Sequence, residues 1–175
     1  MDLHLIGWGN GNALSSQYLK FNQGHTLAIL ALCLELNHQA FPRQSTMRVL
    51  DLSVKSGDCI KLKGKIHQGA KSFAINLGRD DSNLAIHLNA RFEAHGDVKK
   101  IVCNSKSNGQ WGAEVRSSIF PFQEGAEIKI CLCYQADDIK VKLDGQEISF
   151  PNRLGLNTAQ YFSVDGDMSL LSFKC

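Results

Sequence analysis

Residues 86–116 read IHLNARFEAHGDVKKIVCNSKSNGQWGAEVR. In the first part, His87, Asn89 and Arg91 alternate with Ile86, Leu88, Ala90 and Phe92. Side chains of a strand point to opposite faces in turn, so one set has a core to bury in and the other offers hydrogen bonds. The pattern returns after Trp111, where Glu114 and Arg116 share a face and Val115 takes the other. His95-Gly96-Asp97 and Ser107-Asn108-Gly109 supply the turns between these strands.

The polar set, completed by Asn104, suits one kind of ligand. A neutral imidazole and amides both donate and accept, an Arg only donates, and an ionised Glu only accepts. The hydroxyls around a hexopyranose ring need that mixture. The C–H patch that an axial C4 hydroxyl leaves on galactose can lie on an indole such as Trp111. A site built to pair one hydroxyl rejects the epimer that lacks it, because its polar groups are left unpaired.

The spacing His87-x-Asn89-x-Arg91, Val102-x-Asn104 and Trp111-x-x-Glu114-x-Arg116 resembles the carbohydrate-recognition signature of the galectins. The segments FEAHGD, IVCNS and FPF resemble the prototype members, which have a single domain. The resemblance covers about residues 46–175. It implies that His87, Asn89 and Arg91 bind the galactose 4-hydroxyl, that Asn104 and Glu114 bind the 6-hydroxyl, and that Trp111 stacks on the ring. Arg91, Glu114 and Arg116 would also reach the neighbouring glucose or N-acetylglucosamine, with His95 at the edge of that subsite. One position departs from the family pattern: Ala90 stands where proline is usual. Losing a proline costs about 0.4–1 kcal/mol through the looser unfolded chain, so a weakened or retuned site is expected.

Beyond the motif, short apolar alternations recur at Leu50/Leu52/Val54, Ile60/Leu62, Phe73/Ile75/Leu77, Ile128/Ile130/Leu132, Ile139/Val141/Leu143 and Ile148/Phe150, with Asp144-Gly145 as a two-residue hairpin turn. So many evenly spaced strands predict an all-β sandwich. The resemblance makes it a jelly-roll-like antiparallel β-sandwich, galectin/concanavalin-like, with the sugar groove on its concave sheet. Residues 1–45 differ and are expected to form a non-β N-terminal extension, flexible or with a short helix over residues 27–34. Met47 resembles a second start. The apolar run at 27–34 is too short to cross a bilayer and lacks the flanks of a signal peptide.

Across 175 residues the formal net charge is only +2, which argues against capture of nucleic acid or anionic lipid. Lys61, Lys63 and Lys65 line one strand face and read as a solvated surface. The cysteines Cys33, Cys59, Cys103, Cys131, Cys133 and Cys175 form no disulfide framework and read as free thiols of a reducing compartment. Cys131 and Cys133 share a strand face without a matching metal-ligand pair, and the acidic turn at residues 79–83 has too few converging oxygens for calcium, so neither metal nor cofactor is expected.

Three functions follow. The first is a β-galactoside-binding lectin that cross-links glycoproteins and glycolipids carrying lactose or N-acetyllactosamine units. Family resemblance adds a homodimer joined through strands near residues 49–54 and 168–173, and a cytoplasmic protein exported without a signal peptide. A glycosidase would need a second carboxyl beside Glu114, and Glu93 and Asp97 lie off the motif. A galectin-like protein-binding module with weakened or lost sugar binding is the remaining alternative.

Overall fold

The computed structural model describes residues 2–5, 17–20 and 45–175, with side chains from Met47 onward. In chain order its strands are β1 (Asp2–Leu5), β2 (Gln17–Lys20), β3 (Ser45–Val49), β4 (Val54–Lys55), β5 (Cys59–Ile66), β6 (Ser72–Asp80), β7 (Asn83–Ala94) and β8 (Asp97–Ser107). There follow β9 (Gln110–Trp111), β10 (Val115–Ser117), β11 (Glu127–Tyr134), β12 (Asp138–Leu143), β13 (Gln146–Pro151), β14 (Thr158–Ala159), β15 (Tyr161–Gly166) and β16 (Met168–Lys174).

Two sheets face each other. One runs β10-β8-β7-β6-β15-β3, with β9 paired to β8, and the other runs β13-β12-β11-β5-β16. All of their pairings are antiparallel. Between them the alternating apolar residues meet: Ile86, Leu88 and Ala90 from β7, Ile75 and Leu77 from β6, Ile60 and Leu62 from β5, and Ile130 and Leu132 from β11 are all buried. The all-β sandwich expected from the periodicity is the fold.

Tight turns keep the strands in register. Asn108-Gly109 and Asp144-Gly145 take positive φ at both residues, the mirror-image geometry that suits the right-handed twist of a hairpin. His95-Gly96 does the same, bringing Asp97 back opposite Ala94.

Three expectations change. Leu52 and Val54 are buried, yet β3 ends at Val49, Asp51 has φ 58° and a strand resumes only at Val54, where β4 pairs with β14, so the alternation at Leu50 and Leu52 reflects a loop rather than one continuous strand. Residues 1–45 are not wholly non-β: β1 and β2 pair antiparallel, Asp2 opposite Lys20. The short helix expected over residues 27–34 lies outside the described residues. Finally, Cys59 and Cys133 are disulfide-bonded rather than free. The register of β5 and β11 sets them directly opposite with Cα atoms 4.1 Å apart, a juxtaposition that a sequence separation of 74 conceals. Cys103, Cys131 and Cys175 are free thiols.

Candidate functional site

On the outer face of the larger sheet, cross-strand pairing lays polar residues in a row. Ser163 of β15 lies opposite Asn76 of β6, Asn76 opposite His87 of β7, and His87 opposite Asn104 of β8. The register runs without a bulge from His87 to Arg91 on both sides of β7. Ala90, fully buried beneath, therefore leaves His87, Asn89 and Arg91 in line without a proline.

Each of these side chains is held by a partner. His87 Nδ1 is 2.6 Å from Asn76 Oδ1, while Asn76 Nδ2 donates to Ser163 Oγ at 2.9 Å and Asp165 Oδ2 at 3.0 Å. With the amide nitrogen committed to that hydroxyl and carboxylate, the oxygen faces the ring. Nδ1 is the protonated nitrogen and Nε2 carries the free lone pair. Burial, reinforced by the charge of Arg91, lowers the His87 pKa to about 4, so the ring is neutral at physiological pH.

Arg91 is the hub of the charged half. Its Nε donates to Asn89 Oδ1 at 2.7 Å and its Nη1 to Asp97 Oδ2 at 2.6 Å, with Glu114 Oε1 3.8 Å from Nη2. Asn89 in turn donates to the Phe73 carbonyl at 3.0 Å. Arg116 closes the chain of charges, 2.6 Å from Glu114 and 3.4 Å from Asp97. Hydrogen bonding to Arg91 holds the Asp97 carboxyl below its ordinary range, with Arg116 adding to the effect. A buried guanidinium with fixed carboxylate and amide partners is a rigid donor array rather than a mobile charge.

Trp111 stands opposite, 51% exposed, its ring centroid 4.9 Å from that of His87 at an interplanar angle of 58°. The linker that carries it is tied down by Asn104, whose Nδ2 donates to the Gly112 carbonyl at 3.0 Å while its Oδ1 accepts the Ser105 N–H. Gly112 is closely surrounded by polar side-chain ends. A Cβ there would meet Ser105 Oγ at 3.1 Å and Arg153 Nη1 at 3.2 Å.

These residues enclose one open groove of about 560 Å³, lined by His87, Asn89, Arg91, His95, Asn104, Trp111 and Glu114, with Val102 and Gly112 between them. Arg116 flanks it through Glu114. Thus the residues picked from the sequence converge on one surface. Asn76, Ser163, Asp165 and Asp97 were missed as members of the site, because each acts on a side chain that only cross-strand register brings near. The turn formers around Asp97 were visible, but not the guanidinium it would meet.

A model of the galactoside-binding lectin family matches residues 45–175. The chain belongs to that family. Galectin-1 of Bos taurus is 50% identical over 126 residues, covering 71% of this chain and 91% of the relative. Among solved structures, a homodimeric agglutinin from chicken liver superposes with TM-score 0.72 at 46% identity, covering 74% of this chain and 98% of the other. A toad ovary galectin in complex with thio-digalactose superposes with TM-score 0.72 at 44% identity, covering 74% and 96%. This galactoside-binding lectin family member has, among its described residues, no helix long and apolar enough to cross a membrane.

Proposed function

We propose that the chain is a non-catalytic lectin for β-galactosides, binding lactose and N-acetyllactosamine units on glycoproteins and glycolipids through the groove of residues 87–116. The carrying observation is the pairing, across one groove, of a His87 with a free acceptor nitrogen and a donor-rich Arg91 with the exposed plate of Trp111. An axial 4-hydroxyl can donate to His87 Nε2 while accepting from Asn89 or Arg91, and the C–H face of the same ring then meets the indole. A ligand of this class is bound by a similar protein, the toad ovary galectin in complex with thio-digalactose. Asn104 and Glu114 would take the 6-hydroxyl, and Arg116 and His95 the neighbouring sugar. The unbroken register beneath Ala90 favours retained binding over the module that has lost it.

The carboxylates favour binding over hydrolysis. Glycoside cleavage needs one carboxylic acid kept protonated, whereas Asp97 is held ionised by two arginines and Glu114 is bridged to Arg116.

A disaccharide of about 23 non-hydrogen atoms, at roughly 0.3 kcal/mol each, binds with about 7 kcal/mol, a Kd on the order of 10 μM. Cross-linking by so weak a site calls for two of them. β3 and β16 are the outer strands of their sheets, and through them a second copy would form a homodimer like the chicken agglutinin. β1 approaches β3, so the extension proposed for residues 1–45 meets that edge through β1, with the lectin domain at 46–175. Sedimentation of the full chain beside a version starting at Met47 tests the dimer and the influence of the extension. We place the protein in the cytoplasm with export to the extracellular space, where its glycans lie.

The binding test is a titration followed by tryptophan fluorescence, with lactose as ligand and maltose as control. Lactose alone should change the emission, and neither Arg91→Ala nor Trp111→Ala should respond while retaining the native circular dichroism. An equal response to maltose rejects the galactose assignment.

A further inference from the structure

The smaller sheet also has an outer face, and its chemistry is unlike that of the groove. On β5 the buried Ile60, Leu62 and Ile66 alternate with Lys61, Lys63 and Lys65, which as a single strand reads as an ordinary solvated surface. The fold changes that reading. Register sets Lys63 directly opposite Lys129 of β11, and Lys61 directly opposite Lys174 of β16. Lys142 of β12 joins the row of Lys61 through Cys131, which lies opposite both. Like charges directly opposed on neighbouring strands destabilise a sheet, so this arrangement does not serve folding.

Lys61, Lys63, Lys129, Lys142 and Lys174 line one shallow depression of about 470 Å³. Lys63 is occupied by Glu127 at 2.7 Å. The other four have no ion-pair partner among the described residues, and all four are exposed. The overall charge of +2 conceals this face, because it averages these lysines with carboxylates elsewhere such as Asp97 and Glu114; against five lysines the depression itself holds one carboxylate, Asp144, with Glu147 of β13 opposite Lys142.

We infer that this face is a second binding site, for a sulfated glycosaminoglycan chain, separate from the galactoside groove. Charges about 4.8 Å apart across strands and about 7 Å apart along them form a two-dimensional lattice. A stiff polysaccharide with fixed sulfates at intervals of a few ångströms can engage several of its points at once. Lysine serves such a ligand as a compact point charge that needs no fork geometry. Single-stranded nucleic acid fits less well, because its proteins add aromatic side chains on which bases stack. Among the described residues the exposed large apolar ones are Val98, Trp111 and Leu171, and none lines the depression. For the same reason the face has nothing to insert into a lipid surface. The two sites lie on opposite sheets with the core between them, so both ligands bind together.

The test is calorimetric titration of the full chain with a size-defined heparin octasaccharide, at low and physiological salt, with and without saturating lactose. The desulfated octasaccharide, a single-stranded oligonucleotide of matched charge and phosphatidylserine vesicles are the comparison ligands. The variant Lys61→Gln/Lys129→Gln/Lys142→Gln is set beside one removing Lys55, Lys71 and Lys99, which lie outside the depression. Both are checked for an unchanged circular dichroism spectrum. Binding should weaken steeply with salt through counterion release, be indifferent to lactose, and fall at least tenfold in the first variant alone. Absence of heparin binding, displacement by lactose, equal losses in both variants, or binding of the oligonucleotide or vesicles as tight as heparin's each overturns it.

Discussion

His87 Nδ1 lies 2.6 Å from Asn76 Oδ1, and the two residues face each other across neighbouring strands. Asn76 converts the Ser163 hydroxyl and the Asp165 carboxylate into an orientation for the imidazole two strands away. Replacing Asn76 by Ala removes the acceptor for Nδ1–H and frees the ring to change tautomer. Lactose binding should weaken about tenfold, corresponding to about 1–1.5 kcal/mol for a lost hydrogen bond. Calorimetry on Asn76→Ala checks this, and an unchanged affinity would remove Asn76 from the site.

Arg91 makes directional bonds to Asn89 and Asp97 from different nitrogens of one plane. Arg91→Lys keeps the charge and loses the fork, so lactose affinity should drop by about 2–3 kcal/mol even though the site remains cationic. Asp97→Asn should weaken binding in the same direction and by less, since Glu114 remains near the guanidinium. Titration of both variants gives the order.

The neutral imidazole predicts a specific pH profile. Folded His87 titrates near 4, whereas in the unfolded chain it titrates near 6.5, so between those values the unfolded state takes up the proton first. Its contribution to stability is complete above pH 6.5 and is lost progressively as the pH falls toward 4, by about 3 kcal/mol in all. Asp97 acts in the same direction lower down: its depressed carboxyl adds stability that is present above the ordinary value of 3.8 and lost as the pH falls through its folded value. Urea midpoints measured from pH 7 to 4 should decline less in His87→Gln than in the parent. Lactose affinity should stay level down to about pH 5 and fall near 4.

The cysteines should sort by environment. Burial pushes the Cys103 thiol up to about 12, so an alkylating reagent should spare it in the native protein and label it on unfolding. Cys175 is exposed near the end of β16, but burial of its sulfur and the charge of Asp58 push its thiol up to about 11, so it should label in the native state slowly, though ahead of Cys103. Reducing Cys59–Cys133, which closes a long loop, should lower stability by about 2–4 kcal/mol, read as a shift in the denaturant midpoint. Mass spectrometry of the labelled chain distinguishes the three sites.

The sequence by itself determined the layers and the groove residues. Alternation with a period of two in residues 86–92 and 114–116 assigns each side chain to a face, and the Asn108-Gly109 and Asp144-Gly145 pairs mark two of the hairpin turns. From those local rules come the all-β sandwich and the shared surface of His87, Asn89, Arg91, Asn104 and Trp111. Alternation at Leu50 and Leu52 misled, because burial of a loop residue leaves the same signature as burial in a sheet; only Val54 of that run lies in a strand.

Only the tertiary structure decided who stands opposite whom. The bond of Asn76 to His87, the meeting of Asp97 with two arginines, the Cys59–Cys133 bridge and the lysines that converge from β5, β11, β12 and β16 all depend on the register between strands. Register is settled by turns and by the packing of the whole core. It couples residues more than a hundred positions apart, such as Lys61 and Lys174, beyond the reach of any local periodicity.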